Sequence, residues 1–291
     1  MPNTSGASAA TGRELARAEP GALRPRVVSA LALAPLPLAA IWLGGIWLAL
    51  LTIAAGAVMA WEWGRLCRGT PERGFAPGGV ETALVAIVIS VVAVAAGGTA
   101  RLATALAVLG AVVIFLAARQ RPGGEPAWIA LGVLWVALPC ICFLWLAREE
   151  ADGRAILLWL LAVVWATDIG AYVVGRSIGG PRLAPRWSPR KTWAGLAGGM
   201  LSAGLVGGVT ALVLGRPSLL TLVLVSAGLA VVAQFGDLAE SLAKRRFGVK
   251  DTSGLIPGHG GLLDRLDGLL AVLPAVALMT LIGGQSVIAW R

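Results

Sequence analysis

Residues 27–61 contain no charged side chain, the stretch being bounded by Arg26 and Glu62. No other feature limits the fold as strongly. A helix crosses the hydrocarbon core of a bilayer in roughly 20 residues. Thirty-five residues are therefore too many for one crossing, and the Gly44-Gly45 pair offers a break between two, at about 27–43 and 46–63. Further apolar runs follow at about 82–100, 102–118, 127–147, 155–175, 194–214, 218–236 and 266–289. The pattern predicts an all-α polytopic integral membrane protein with about nine transmembrane helices. A composition of 57% hydrophobic and 13% charged residues leaves too little polar sequence for a separate soluble domain.

Residues 1–24 are rich in Ala, Gly, Ser, Pro and Arg and lack the apolar stretch that a secretory signal places directly after its basic start. They are expected to be a disordered cytosolic tail, with residues 25–291 forming one membrane domain. The net charge of +9 does not imply a nucleic-acid partner, because the bases lie in short loops between apolar runs. There they set orientation and meet anionic membrane lipids. With the N-terminus in the cytosol, 19 of the 24 Lys and Arg residues fall on the cytosolic side and 5 on the other. Both long charged loops, 176–193 and 237–265, then face the cytosol, as expected for a protein of a bacterial inner membrane. Cys67, Cys140 and Cys142 have no metal-ligand spacing and read as helix-packing residues. In the seventh run, the pairs Gly195/Gly199 and Gly204/Gly208 permit close helix approach, either within a bundle or, as the sharper alternative, across a homodimer interface.

Charge returns in the segment 237–267. Asp237, Glu240, Ser241 and Lys244 fall at helical offsets and share one polar face at the end of the eighth run. Asp264 and Asp267 share a face at the start of the ninth. Ionisable residues at membrane depth are costly and mark function. Two acidic helix ends joined by a loop can converge on a hard cation such as Mg²⁺, which takes one or two carboxylates plus substrate phosphates. A second cation is compatible with such a site. Between them, Gly258, Gly260 and Gly261 leave the backbone free to approach an anion. Lys244, Arg245, Lys250 and Arg265 supply cations for phosphate oxygens. The chain's single histidine, His259, either donates to a phosphate oxygen or holds the turn. A second charged stretch begins at Asp168, inside an apolar run, and continues to Ser188, Lys191 and Thr192. There Ser188-Pro189 is expected to cap the seventh helix.

The run Ser241-x-x-Lys244-Arg245-x4-Lys250-Asp251-x4-Ile256-Pro257-x-His259-Gly260-Gly261-x-x-Asp264-Arg265-x-Asp267 resembles the signature of the phosphatidate cytidylyltransferases, or CDP-diacylglycerol synthases. Asp168, Ala171-Tyr172, Gly175, Gly179 and Ser188-Pro-Arg-Lys-Thr-Trp193 resemble the family's second block, except that Ala194 stands where Glu is usual. The motif detail covers roughly residues 165–270. The resemblance implies a reaction of CTP with phosphatidate that yields CDP-diacylglycerol and pyrophosphate. It implies that Asp237, Asp264 and Asp267 hold Mg²⁺, that Lys244, Arg245, Lys250, Arg265 and His259 serve the triphosphate or lipid phosphate, that Asp168, Ser188, Lys191 and Thr192 line the second wall, and that Asp251 belongs to the catalytic set and Ser241 to the binding set. The competing class is a secondary transporter or channel with a charged cytosolic site. That class predicts repeated halves and polar groups near the midplane, whereas the charges here crowd into one half.

Overall fold

A computed structural model describes residues 34–68, 79–120, 125–148, 152–216, 218–256 and 260–290. Among them are nine α-helices: α1 (Pro35–Leu43), α2 (Gly45–Cys67), α3 (Val80–Ala96), α4 (Ala100–Ala118), α5 (Pro126–Leu146), α6 (Gly153–Ile178), α7 (Trp193–Val213), α8 (Leu219–Arg246) and α9 (Leu263–Gly283). A short hairpin of β1 (Arg182–Ala184) and β2 (Ser188–Thr192) connects α6 to α7. The protein is thus an almost wholly helical integral membrane protein.

The break at Gly44-Gly45 falls where expected. Both glycines take positive φ, 64° and 48°, a region that other residues enter only with strain. The crossing count is less complete than the apolar runs suggest. Seven helices, α2 and α4–α9, are long and apolar enough to cross a membrane, and α3 has 17 residues. Helix α1 has nine, about 14 Å of rise, well short of a roughly 30 Å hydrocarbon core. The remainder of the expected 27–43 span, like the tail at 1–24, lies outside the described residues.

Polar contacts divide the bundle into two ends. At one, Arg68 Nε donates to Glu81 at 2.5 Å, Arg246 pairs with Glu125, and Arg245 Nε donates to the Trp187 carbonyl at 3.5 Å. At the other, Arg148 donates to the Ala95 and Ala96 carbonyls, Arg216 pairs with Asp152, and Ser218 donates to the Trp290 carbonyl. These are the same two groups of loops that the Lys and Arg distribution separates.

The core is built on α5, where Val133, Val136, Ala137 and Leu146 are fully buried, together with Leu84, Val88, Ile156, Val163 and Val272 from surrounding helices. Cys140 is buried in it and unpaired. Helix α7 lies between α6 and α8. Gly195 and Gly199 face Ala171 and Thr167 of α6, and Gly204 and Gly208 face Val223 of α8. Both glycine pairs therefore serve packing within the chain.

One local expectation fails. Ser188 and Pro189 do not start α7, because the chain stays extended through β2, with Arg182 opposite Thr192 and Ala184 opposite Ser188. The N-cap is Thr192, whose hydroxyl accepts the Gly195 N–H at 3.0 Å. A β-branched residue suits both the strand end and the cap, so the helix begins four residues later than Pro189 alone suggests.

Candidate active site

Helix α8 carries its polar face unbroken beyond the apolar run, placing Asp237, Glu240, Ser241 and Lys244 along one side of its last turns. This side meets the start of α9. A side chain at Gly236 would strike the Asp267 carbonyl and Ala271, and one at Gly268 would touch Ala233. The small residues at this crossing set Asp237 beside Asp267.

Lys244 joins the two helices. Its Nζ lies 3.0 Å from Glu240 Oε1 and 2.7 Å from Asp264 Oδ1, and both carboxylates are almost inaccessible. The other oxygen of Asp264 accepts three donors: the Thr252 N–H at 3.0 Å, the Thr252 hydroxyl at 2.9 Å and the Gly261 N–H at 2.8 Å. The loop between α8 and α9 is held further by Ile256 N–H donating to the Gly260 carbonyl at 2.8 Å. Gly260, at φ 82°, lets Asp264 Oδ2 pass at 2.8 Å from where a Cβ would stand. Two loop functions expected of single residues are therefore already committed inside the protein. The Gly261 N–H serves Asp264, and Lys244 serves two carboxylates.

A second group forms where β2 meets α8. Lys191 pairs with Asp237 and donates to Gln234 Oε1 at 2.8 Å. The Ser241 hydroxyl reaches Asp237 Oδ1 only loosely, at 3.4 Å. Asp168, Asp237 and Asp267 lie within electrostatic reach of one another, with Lys191 acting on both Asp168 and Asp267. Asp267 is half-buried and caps its own turn by accepting the Gly268 N–H at 2.7 Å. Asp168 is exposed on α6 among the exposed Trp165, Ile169 and Tyr172.

Of the three expected metal ligands, Asp237 and Asp267 fit a hard cation held by one or two carboxylates and phosphate oxygens. Asp237 is one-third exposed and weakly held at one oxygen. Asp264 has protein donors on both oxygens, Lys244 on one and three on the other, so a cation there would have to share or displace them. Among the described residues, no three His, Cys, Asp or Glu side chains are arranged to hold a metal by themselves.

The other expected residues take several positions. Arg245, Lys250, Asp251 and Arg265 are exposed around the loop, and Ser188 lies on β2. Gly258 and His259 lie outside the described residues. One residue that sequence reasoning passed over stands at the centre of the arrangement. Glu62 of α2 is fully buried. Its Oε1 accepts the Ser253 hydroxyl at 2.6 Å and the Leu262 N–H at 2.9 Å, and its Oε2 accepts the Leu263 N–H at 2.7 Å. The available signal was its position as the first charge after thirty-five uncharged residues. Glu240, noted only as part of a polar face, is also fully buried, and its Oε2 has no partner.

The chain matches the model of the Cytidylyltransferase family over residues 24–282. It is 37% identical over 261 residues to a Brucella suis protein named phosphatidate cytidylyltransferase, covering 90% of this chain and 93% of that one. A Pseudomonas aeruginosa protein of the same name is 34% identical over 263 residues, covering 88% and 96%. A Bacillus subtilis protein, again so named, is 38% identical over 151 residues, covering 52% and 56%. The similarity extends well beyond residues 165–270 into the half of the chain that carries Glu62.

Proposed function

Because the chain belongs to the cytidylyltransferase family, we propose that it transfers the CMP moiety of CTP to phosphatidate, giving CDP-diacylglycerol and pyrophosphate. The observation that carries this reading is similarity along 93% of the length of a relative with that name. It is joined by a buried, charged constellation where α8 and α9 meet. In the reaction a phosphate oxygen of the lipid forms a bond to the α-phosphorus of CTP. The bond from that phosphorus to the bridging oxygen breaks, and its electrons leave with pyrophosphate. The phosphate monoester is already ionised near neutral pH, so no general base is required.

The protein's contribution is position and charge. Mg²⁺, when bound, neutralises triphosphate charge, and Asp237 and Asp267 would hold it. Arg245, Lys250 and Arg265, exposed around the loop, are placed to meet phosphate oxygens, with His259 a further donor. Lys191 orients Asp237, and Lys244 with Asp264 holds the loop in shape. Asp168 lies on α6 beside exposed Tyr172 and Ile169, at the edge of the charged group. That placement suits a head group entering sideways while its acyl chains remain in the bilayer. The charged end would face the cytosol of a bacterial inner membrane, where CTP is available. A transporter reading has less support, because the charged groups gather at one end.

Purified protein in phosphatidate vesicles with cytosine-labelled CTP should move the label into the lipid phase and release pyrophosphate, and diacylglycerol should be inert as acceptor. Release of inorganic phosphate would place the attack at the γ-phosphorus and overturn the assignment.

A further inference from the structure

Two carboxylates, not one, close the loop between α8 and α9. Asp264 binds Thr252 at its beginning and Gly261 at its end. Glu62 binds Ser253 at its beginning and Leu262 and Leu263 at its end. Asp264 belongs to α9 itself. Glu62 comes from α2, 191 residues before Ser253. It therefore ties both ends of this loop to the N-terminal half of the bundle. The Leu262 and Leu263 N–H groups belong to the first turn of α9, where helical donors lack intrahelical partners. A carboxylate there satisfies them and favours the helix dipole. Space is reserved for it, because a Cβ on Gly261 would stand 2.5 Å from Glu62 Oε1. Glu62 is fully buried and touches neither Asp237 nor the exposed cations, so it acts on the reaction only through the loop that it holds.

We propose that Glu62 is a positioning residue of the transferase. It clamps the Thr252–Ile256 and Gly260–Leu263 strands of the loop in the arrangement that receives the triphosphate of CTP. This rests on the reading of the loop as the CTP site.

The loop without its clamp is competent for only a fraction of the time, and the apparent affinity for CTP falls by that fraction. Saturating CTP selects the competent arrangement and restores turnover. A residue needed only for folding behaves differently: fewer molecules are active, so kcat falls and both KM values stay unchanged. Glu62→Gln keeps the volume but faces one of its three donors with an NH₂ group. In this variant KM for CTP should rise by about tenfold or more, while KM for phosphatidate and kcat at saturating CTP move by less than about threefold. Hydrogen exchange at the Leu262 and Leu263 amides should quicken, and CTP should slow it again.

Unchanged KM for CTP with unchanged exchange overturns the proposal. So does a fall in kcat with both KM values unchanged. If Glu62→Gln does not insert, Ser253→Ala, which removes one of the three bonds, should raise KM for CTP by about three- to tenfold and quicken exchange at Leu262. Wild-type values in that variant overturn the clamp equally. Were the unaltered protein inert toward CTP, the reading of the reaction would fail, while exchange in Glu62→Gln would still decide whether the clamp exists.

Discussion

Thr252 donates both its backbone N–H and its hydroxyl to a single oxygen of Asp264, at 3.0 and 2.9 Å. With Gly261 on the same oxygen and Lys244 on the other, both oxygens of this carboxylate are engaged inside the protein. Its acidity therefore serves the shape of the loop. Asp237 is only one-third exposed but keeps an oxygen that a loose 3.4 Å contact barely holds. Two aspartates that look alike in the sequence thus have different surroundings, and substitution tests whether their work differs.

Asp264→Asn should destabilise the protein and lower activity together. Removing one partner from a buried, hydrogen-bonded ion pair costs about 3–5 kcal/mol. The cost should fall near the lower end, because Lys244 retains Glu240. Thermal unfolding in detergent measures the loss. Raising Mg²⁺ should leave the activity deficit unchanged. Recovery at high Mg²⁺ would return Asp264 to the metal ligands.

Asp237→Asn should do the opposite. Its unfolding temperature should remain close to that of the unaltered protein, since the residue is partly exposed and its partner Lys191 retains Gln234. Turnover should fall by about 10²–10³, the usual cost of one lost transition-state charge contact. Raised Mg²⁺ should restore part of it. Glu125→Gln, which breaks an exposed pair with Arg246, is the control and should alter stability by less than about 1 kcal/mol. Normal turnover in Asp237→Asn at low Mg²⁺ would move the metal toward Asp168.

The ladder of spans, the break at Gly44-Gly45, the two ends of the bundle and the polar face of α8 were legible in the sequence, since each is a local pattern of hydrophobicity or helical period. The convergence of α8 and α9 was legible as well, because their acidic faces lie at the facing ends of consecutive spans, on one side of the membrane. Three features were not. The β1–β2 hairpin has few residues, and Pro189 suggested a helix start more strongly than Thr192 did. The roles of Gly260 and Gly261 depend on where Asp264 and Glu62 pass, which periodicity does not report. Glu62 itself pairs across 191 residues, and a lone acid beside Arg65 and Arg68 looks like an ordinary membrane-boundary charge.

Helix α7 gives a test of packing within one element. A methyl added at Gly198 would press on Val174 and stand 2.8 Å from the Gly170 carbonyl, whereas one at Gly204 would find its nearest neighbour, Val223, at 3.5 Å. Gly198→Ala should cost about 1–3 kcal/mol as α6 and α7 separate. Gly204→Ala should be neutral or stabilising, by up to about 1 kcal/mol from helix propensity. Unfolding of both variants in detergent decides the matter. Equal tolerance would mean that α6 and α7 are not in close contact.

Orientation is the condition on which the CTP reading depends, and α9 offers the most direct test. Leu255 lies in the loop before α9 and Gln285 just after it, and both are exposed. Cys67 is half-buried at the end of α2, so the native thiols make poor reporters and are best replaced by alanine. In that background, a membrane-impermeant maleimide should label Leu255→Cys in inverted membrane vesicles and Gln285→Cys in intact spheroplasts. The 19-to-5 distribution of Lys and Arg predicts this direction. The polar contacts support the pairing of ends, since Arg245 meets Trp187 at the Leu255 end and Ser218 meets Trp290 at the Gln285 end. Labelling of both cysteines from one side would mean that α9 does not cross. Labelling of each from the reverse side would mean that the loop held by Asp264 and Glu62 faces away from cytosolic CTP, and the proposed reaction would lose its substrate.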